Sequence, residues 1–595
     1  MARRLLTIAL LAGLLVAWIV VPAFSKGKYE HHERAAAELT DNVTKYSFPK
    51  VRFKPVAKGD IVSPEDNAAD NPYPRTSIGT AMSPTSVASP GFAVIESYND
   101  DQMFPGGNRQ VDFRGPLPSI HFAYGSAKST TQPGKFGYNV YDPVGGVWPR
   151  GAGVGCEIQA ADAEGWWNNM DVGPQSYIVI SGNDDASGSL DNHFFWQTMT
   201  HGCFWGTGSQ IPPSQYNVNF LTPSHYLTQV RIEVQEFAGD TIVHCLAVES
   251  DATTVVGDLQ ENSLNYFRKA GWTQSGTWTG PTTLDSINRS SASQQVSNGS
   301  IAASRVSGKV LVAYTHFHDM AFVNDQRYDC EVFFRTSDDA GLTWGPINNL
   351  TSADRNVDAN GAYIECVTLI DSEDGLHVIW TGETIPGGAY DDPTYFWGDF
   401  SAGLFHWTDR VAGPNAGGTM TRAWNAEWGI AWNTQVCGFP SPGSSYLGYE
   451  SICECDGRLY LTCSQWLDAW GIWGVPQIND CASGFSDRLY AANGEVGMVV
   501  SSSLDGILWD APRNLTNTYT PNCDSAGYGG VCMNDSRATA SRFGMDSAAY
   551  GVDLIWPGGE LVMPANSEGW DGSKYFHVFY TEDHYPAPGW RSTMG

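Results

Sequence analysis

The segment Phe333-Phe334-Arg335-Thr336-Ser337-Asp338-Asp339-Ala340-Gly341-Leu342-Thr343-Trp344 constrains this chain more than any other stretch. Val332, Phe333 and Phe334 are apolar and β-prone, and they read as a short strand. Asp339, Ala340 and Gly341 read as a tight turn, because Asp tolerates tight backbone geometry and Gly accepts a positive φ. Ser337 and Asp339 can bond back to the turn amides, replacing ladder bonds that a turn cannot make. Trp344 then returns a large apolar ring to the sheet. A shorter copy recurs as Ser503-Leu504-Asp505-Gly506-Ile507-Leu508-Trp509. A recurring turn of this kind points to a chain built from repeated β-units.

The other units follow one pattern: an apolar strand, a Gly/Asp turn, a second apolar strand, a longer loop, and a strand ending near a Trp. Strands read at Ser119–Tyr124, Tyr177–Ile180, Val230–Val234, Ile242–Ala247, Ile301–Ser304, Val310–Tyr314, Tyr363–Val367, His377–Trp380, Ser451–Cys455, Leu459–Thr462 and Tyr575–Tyr580. The units end near Trp148, Trp205, Trp278, Trp344, Trp424 and Trp509. Aromatic residues make up 12% of the chain and Gly numbers 64, which suits short strands joined by turns rather than helices. A 595-residue chain is long for one core, but stacked units each add their own packed layer.

The spacing of Ser337, Asp339, Gly341, Thr343 and Trp344 resembles the Asp-box, or BNR repeat, of sialidases and other propellers. Ser503, Asp505, Gly506 and Trp509 resemble a degenerate copy. The resemblance implies an all-β fold, a β-propeller of seven four-stranded blades with six as the alternative count. It also implies that the motif is a structural turn far from the active site. The strand Gly91–Tyr98 is expected to close the ring, which would remove exposed sheet edges. The expected organisation is a signal peptide over 1–25, a flexible lead-in over 26–75 and one propeller domain over 76–595.

A sialidase grips its substrate's carboxylate with three arginines and uses a Tyr/Glu pair with an Asp acid. The stretch Glu450 to Ser464 resembles the segment that carries the family's glutamate, with Glu450 in its place. The arginine expected near Ser464 is missing, and a Ser gives no bidentate charged grip. Phe113-Arg114-Gly115-Pro116 resembles the family's Phe-Arg-Ile-Pro and puts Arg114 where the first arginine would sit. Asp142 reads as a strand end, and spacing assigns no Tyr nucleophile. The sialidase set is therefore incomplete.

Other glycoside chemistry needs two facing carboxyl groups. Glu365, Glu383, Glu450 and Glu454 are candidates, and Glu365 and Glu450 hold equivalent places in successive units. Trp166, Trp167, Phe194-Phe195-Trp196, Trp466, Trp470 and Trp473 lie in or near Gly/Asp/Asn-rich stretches and could stack on sugar rings. Blade-to-blade packing is the plainer reading of these aromatics. His316-Phe317-His318-Asp319 has metal-binding spacing without a third ligand, and Asp184–Asp191 is an oxygen-rich loop. No cofactor is expected, with calcium as the alternative.

Arg3 and Arg4 followed by the apolar run Leu5 to Val21 and Ala23-Phe24-Ser25 read as an export signal cleaved before Lys26, an uncleaved anchor being the alternative. No other stretch is long and apolar enough to span a bilayer. Twelve cysteines fit an oxidising compartment. Cys523 could pair with Cys532, and a cross-strand bridge is open among Cys453, Cys455 and Cys463. A formal charge of −30 disfavours nucleic acid and anionic membranes as partners. The expected protein is a secreted or surface-located monomer (the periplasm included) that binds an extracellular glycan or protein without catalysis. The alternatives are an exo-glycosidase using Glu450, Glu365 and Arg114, and a structural envelope component.

Overall fold

The computed structural model describes residues 109–114, 117–126, 135–158, 165–184, 191–199, 201–207, 225–251, 261–273, 278–288, 296–317, 330–351, 362, 365–384, 401–426, 447–467, 493–515, 534–546 and 574–583. Six antiparallel sheets of four strands follow one another in chain order. The first holds β1 (Val111–Asp112), β2 (Ile120–Ser126), β3 (Lys135–Tyr141) and β4 (Cys156–Glu157). The second holds β5 (Gly165–Val172), β6 (Ile178–Asp184), β7 (Asp191–Gln197) and β8 (Trp205–Thr207). The third, with the longest strands, holds β9 (His225–Phe237), β10 (Asp240–Asp251), β11 (Glu261–Ala270) and β12 (Trp278–Asn288). The fourth holds β13 (Val296–Ala303), β14 (Val310–Phe317), β15 (Cys330–Ser337) and β16 (Asn348–Asn349). The fifth holds β17 (Val367–Ile370), β18 (Leu376–Thr384), β19 (Ser401–Gly413) and β20 (Gly417–Ala426). The sixth holds β21 (Leu447–Cys455), β22 (Arg458–Leu467), β23 (Asn493–Val500) and β24 (Arg513–Asn514).

In every sheet the strands lie side by side in sequence order, and the first strands of successive sheets adjoin one another. The sheets are therefore blades around a common axis, and the fold is a β-propeller. A seventh unit is a two-stranded hairpin. Its strands are β25 (Asn534–Ala540) and β26 (Met545–Asp546), pairing with β28 (Val578–Asp583) and β27 (Lys574–Tyr575) respectively. The described residues thus give six four-stranded blades, the alternative count, with the hairpin in the seventh place. Gly91–Tyr98 lies outside the described residues.

Apolar side chains alternate along the strands and meet between blades, and each junction has its own core. Val140 and Ile180 share one, Val179 and Val243 the next, and Leu264 and Val312 a third. Leu311 meets Val378, and Ile379 meets Leu461. The hairpin closes the ring from both sides: Ala540 and Val578 pack on Cys453 of blade six, while Met545 and Phe579 pack on Phe122 of blade one. Closure leaves no first or last blade face bare to water, which is how a propeller protects its sheets.

The unit-ending tryptophans have a common task. Trp205, Trp278, Trp344 and Trp509 each present an edge or face to a ring on the third strand of the preceding blade. The partners are Tyr138, Phe194, Tyr266 and His406, at centroid distances of 5.3, 5.5, 4.8 and 5.3 Å, all T-shaped. Both Ser/Asp turns sit between third and fourth strands. At the first, Asp339 accepts from the Thr343 N–H (2.8 Å) and hydroxyl (2.7 Å), and Ser337 Oγ accepts from the Gly341 N–H (2.9 Å). At the second, the Ser503 hydroxyl donates to Asp505 (2.5 Å). Gly341 (φ 81°) and Gly506 (φ 62°) adopt left-handed backbone, and an added Cβ would meet the Tyr266 hydroxyl and the His406 ring. Glycine is required twice over at both places.

One disulfide, Cys156–Cys203, ties the outer strand of blade one to the β7–β8 turn of blade two. The cross-strand bridge considered for blade six does not form: Cys453, Cys455 and Cys463 are buried thiols outside any disulfide. Cys453 faces Tyr460 across β21–β22, so the register never sets Cys463 opposite it. Cys523 and Cys532 lie outside the described residues. Phe194, Phe195 and Trp196 are core residues of β7, so they present no surface to a ligand.

Buried histidines give the fold an acid limit. Burial brings His121, His244 and His577 down to about 3, with His201 adding to the shift at His121 and Arg268 at His244. The unfolded chain binds these protons near pH 6.5 and the folded chain does not. Stability is therefore present above pH 6.5 and is lost as pH falls towards 3, by about 1 kcal/mol per pH unit for each histidine. Urea midpoints should fall steadily below pH 6.5, and His244→Gln should flatten that slope. A profile unchanged between pH 7 and 4 would contradict this assignment.

Candidate functional site

The two faces of the propeller differ. The first-to-second strand connections, such as 173–177, 238–239, 304–309, 371–375 and 456–457, and the third-to-fourth connections, such as 198–204 and 338–347, all fall on one face. Antiparallel alternation puts the remaining connections on the other. The strand ends Thr207 and His225, Phe317 and Cys330, Thr384 and Ser401, Ala426 and Leu447, Leu467 and Asn493, and Asn514 and Asn534 lie at this other face. The first strands begin at this long-connection face and end at the tight-turn face. Buried charge gathers near both ends of the axis.

Towards the long-connection end, blades five and six bring Glu365 and Glu450 together. Glu365 precedes β17, and its Oε1 accepts the Tyr449 N–H at 2.6 Å. Glu450 lies within a register shift in β21 between Gly448 and Ser451, where Tyr449 takes a left-handed φ of 56°. β5, β13 and β25 carry comparable shifts, so the bulge belongs to the innermost strands generally and is used in β21 to turn Glu450 inward. Both carboxyls are buried, with 2% and 4% of the residue exposed. Burial, then the nearby Glu365 carboxyl, push the Glu450 carboxyl well above the usual range. Burial brings the Arg231 guanidinium down to about 10, against the opposing pull of Glu365. Burial and the same two carboxyls hold the Cys366 and Cys463 thiols protonated. The arrangement is two buried carboxyl groups that act on one another, with the proton held on Glu450 and with one arginine that feels Glu365.

Near the tight-turn end, three acids stand at equivalent places on β1, β5 and β9: Asp112, Asp171 and Glu233 pair across to His121, Val179 and His244. Arg542, from the closing hairpin, reaches all three. It lies 2.8 Å from Asp171 and 3.7 Å from Asp112, and it bonds Glu233. Arg109 adds bonds to Asp171 (3.1 Å) and Glu233 (3.0 Å). Burial works against charge at Asp171, yet Arg542, Arg109 and Arg114 hold it below the usual carboxylate range. Burial and Asp171 push Glu233 up, while the guanidiniums it touches pull it back. Arg542 itself is held above its ordinary value by Asp171 and Glu233 against its burial.

Of the sequence candidates, Glu365 and Glu450 are joined and Arg114 is not with them. Arg114 lies past β1 at the tight-turn end, where it donates to the Val234 carbonyl at 2.8 Å. Glu454 accepts from the Ser372 N–H (2.6 Å) and hydroxyl (2.5 Å), bracing blade five against blade six. Trp166 and Trp167 open β5 and Trp466 lies near the end of β22, so all three sit on strand ends at the long-connection face. Trp470 and Trp473 lie outside the described residues, as do His318, Asp319 and the centre of the 185–190 loop. Among the described residues no group of three or more His, Cys, Asp or Glu side chains could hold a metal ion. Arg231, Asp171, Glu233 and Arg542 escaped sequence reading. The run Val230-Arg231-Ile232-Glu233-Val234 carried a signal, since charges alternate there with core residues. Arg542 carried none.

These features define a β-propeller with a carboxyl pair towards one end of its axis and an ion cluster towards the other. No family model matches the chain, and no curated protein does. Solved structures resemble it distantly. A protein of unknown function from Dyadobacter fermentans is 11% identical, with a TM-score of 0.37, over 69% of this chain and 98% of that one. The GH93 α-L-arabinofuranosidase of Fusarium graminearum is 10% identical, with a TM-score of 0.32, over 62% and 92%. The GH43 endo-arabinanase of Bacillus licheniformis is 10% identical, with a TM-score of 0.29, over 57% and 94%. Likeness at this distance carries nothing about activity.

Two substitutions probe the clusters. Glu450 with a raised pKa costs nothing below pH 4.5, where both folded and unfolded forms are protonated, and costs progressively more as pH rises. Glu450→Gln should therefore gain stability relative to the parent as pH goes from 4.5 to 8, read by chemical denaturation; a constant difference would remove the assignment. Arg542→Met leaves Asp171 and Glu233 buried with less counter-charge and should cost about 3–5 kcal/mol at pH 7.

Proposed function

We propose that the protein is an exported propeller that binds glycans at its long-connection face. The observation that carries this reading is the division of the two faces. The longest connections of the six blades, those of more than fourteen residues, all leave from the end of the axis opposite the Ser/Asp turns, and binding residues concentrate on such connections over a rigid scaffold. The sequence of those connections favours sugars. Segment 385–400 carries Tyr390, Tyr395 and Trp397, segment 427–446 carries Trp428 and Trp432, and segment 468–492 carries Trp470 and Trp473. Trp166, Trp167 and Trp466 adjoin them on strand ends. Aromatic faces suit the apolar faces of pyranose rings. The N-terminal apolar segment and the Cys156–Cys203 bridge support an oxidising, extracytosolic location.

The Ser337–Trp344 and Ser503–Trp509 turns support kinship with Asp-box propellers. Sialidase chemistry finds less support, because Arg114 and Arg542 lie away from Glu450 and Arg542 is committed to buried acids. A second reading, hydrolysis of a glycoside by another mechanism, is favoured by one observation: the Glu365–Glu450 pair. In it Glu450 would be the proton donor and Glu365 the second carboxyl.

A glycan array and a panel of fluorogenic glycosides, a sialoside included, separate these readings. The expected result is glycan capture without turnover, weakened about tenfold or more when Trp466 is replaced by Ala, since one stacking ring is worth roughly 1–3 kcal/mol. Turnover that vanishes in Glu450→Gln would establish hydrolysis instead. A folded sample inert in both assays would sink both.

A further inference from the structure

Both Ser/Asp turns are followed by the same tripeptide at the same distance. Asn349-Leu350-Thr351 begins five residues after Trp344, and Asn514-Leu515-Thr516 begins five residues after Trp509. The fold repeats the match. Asn349 ends β16 and Asn514 ends β24, the outermost strands of blades four and six, and among the described residues each of these strands has a neighbour on one side only. Asn349 stands opposite Phe333, and Asn514 opposite Gly497. The next residue then donates its N–H back to the third strand, Leu350 to the Val332 carbonyl and Leu515 to the Val496 carbonyl, both at 2.8 Å. Blade three ends in a similar way: Asn288 is the last residue of its outermost strand, β12, and opens Asn288-Arg289-Ser290.

Asn-x-Ser/Thr, with x other than Pro, is the acceptor pattern for an N-linked glycan, which needs a surface position on an exported chain. So short a motif often arises by chance, and its place in the fold decides whether it can be used. At Asn349 the geometry suits. Its Oδ1 accepts from the Thr351 N–H (3.1 Å) and hydroxyl (3.3 Å), an Asx turn that brings the hydroxyl to the acceptor amide. Its Nδ2 donates to Glu331 Oε2 at 2.7 Å. The amide carries two hydrogens, so a sugar can replace one while the other keeps the Glu331 bond. Asn298-Gly299-Ser300 is the contrary case, because it lies on the innermost strand β13. There the buried Ser300 hydroxyl meets Thr368 of blade five at 2.9 Å, and a Cβ on Gly299 would run into Leu246 of blade three. That tripeptide is closed in between blades.

We propose that Asn349 and Asn514, with Asn288, are N-glycosylation sites that cover the outer edges of the blades. In the reaction the Asn Nδ2 attacks the anomeric carbon of an oligosaccharide carried on a lipid pyrophosphate. The nitrogen–carbon bond forms as the carbon–oxygen bond to the pyrophosphate breaks. The lipid pyrophosphate leaves with that electron pair, and one Nδ2 proton passes to a base of the transferring enzyme. An edge strand offers unpaired N–H and C=O groups to any other chain, and a bulky hydrated sugar beside it blocks that approach. The proposal rests on the export in the reading above and is independent of glycan binding.

The test is secretion of the full chain from yeast behind a host leader, so that entry into the glycosylating pathway does not depend on the chain's own N-terminus. The same chain without the host leader tests export separately. Digestion of the secreted protein with peptide N-glycosidase in heavy-oxygen water turns each glycan-bearing Asn into a labelled Asp, which peptide mass spectrometry locates. Label is expected at Asn349, Asn514 and Asn288 and not at Asn298. Asn349→Gln and Asn514→Gln should each lose the mass of one glycan. Thr351→Ser keeps the acceptor pattern and should keep the label at Asn349, whereas Thr351→Val should lose it. Mapping of the unaltered protein decides the matter even if a variant fails to fold. Unlabelled Asn349 and Asn514 in the secreted, folded chain would overturn the proposal, as would a label at Asn298 equal to theirs.

Discussion

The contact on which the ring depends is the reach of Arg542 across the axis. It joins the closing hairpin to acids of blades one, two and three, from the far end of the chain. A propeller's blades touch only their neighbours around the ring, so each junction alone could part without the others resisting. A charge that binds three blades at once couples them. The acids could not be buried without it, and its own guanidinium could not be buried without them. Ring closure and charge neutralisation are therefore one event.

A second constraint acts on the innermost strands. Each has one edge with no strand beside it, and its N–H groups need acceptors. Side chains of the preceding blade supply them. Asn169 accepts from the Ile232 N–H, Asp171 from Val234, Glu233 from Ala303, Ser300 from Thr368, Glu365 from Tyr449, and Ser451 from Ala540. Most of the polar residues near the axis thus hold blades in register before they do anything else. Glu365 belongs to this set, and its pairing with Glu450 is built on an inter-blade bond. That double duty explains why a carboxyl pair with shifted protonation sits so deep, and why binding is the leading reading and hydrolysis the second.

Much of this was legible residue by residue. The Ser337–Trp344 segment announced its turn, because Ser, Asp and Gly at that spacing make local bonds that need no partner elsewhere. The unit-ending tryptophans were legible as markers, though not as the edge contacts they make with Tyr138, Phe194, Tyr266 and His406. Glu365 and Glu450 hold equivalent places in two repeats, and both are buried near the same end of the axis. Arg114 misled because four matching letters, Phe-Arg-Gly-Pro, say nothing of which end of a strand they occupy. Phe194 to Trp196 looked available beside a polar loop and proved to be core, since alternate faces of β7 both meet a neighbouring blade.

Strand character, turn chemistry and the repeat were determined by the sequence alone, because each rests on residues within a few positions of one another. Blade count, the unbridged state of Cys453, Cys455 and Cys463 and the axial ion cluster were decided only by the tertiary structure. Those depend on register and on contacts such as Arg542 to Asp171, 371 residues apart in the chain. Only closure of the ring brings such pairs together, and no local pattern encodes where a ring will close.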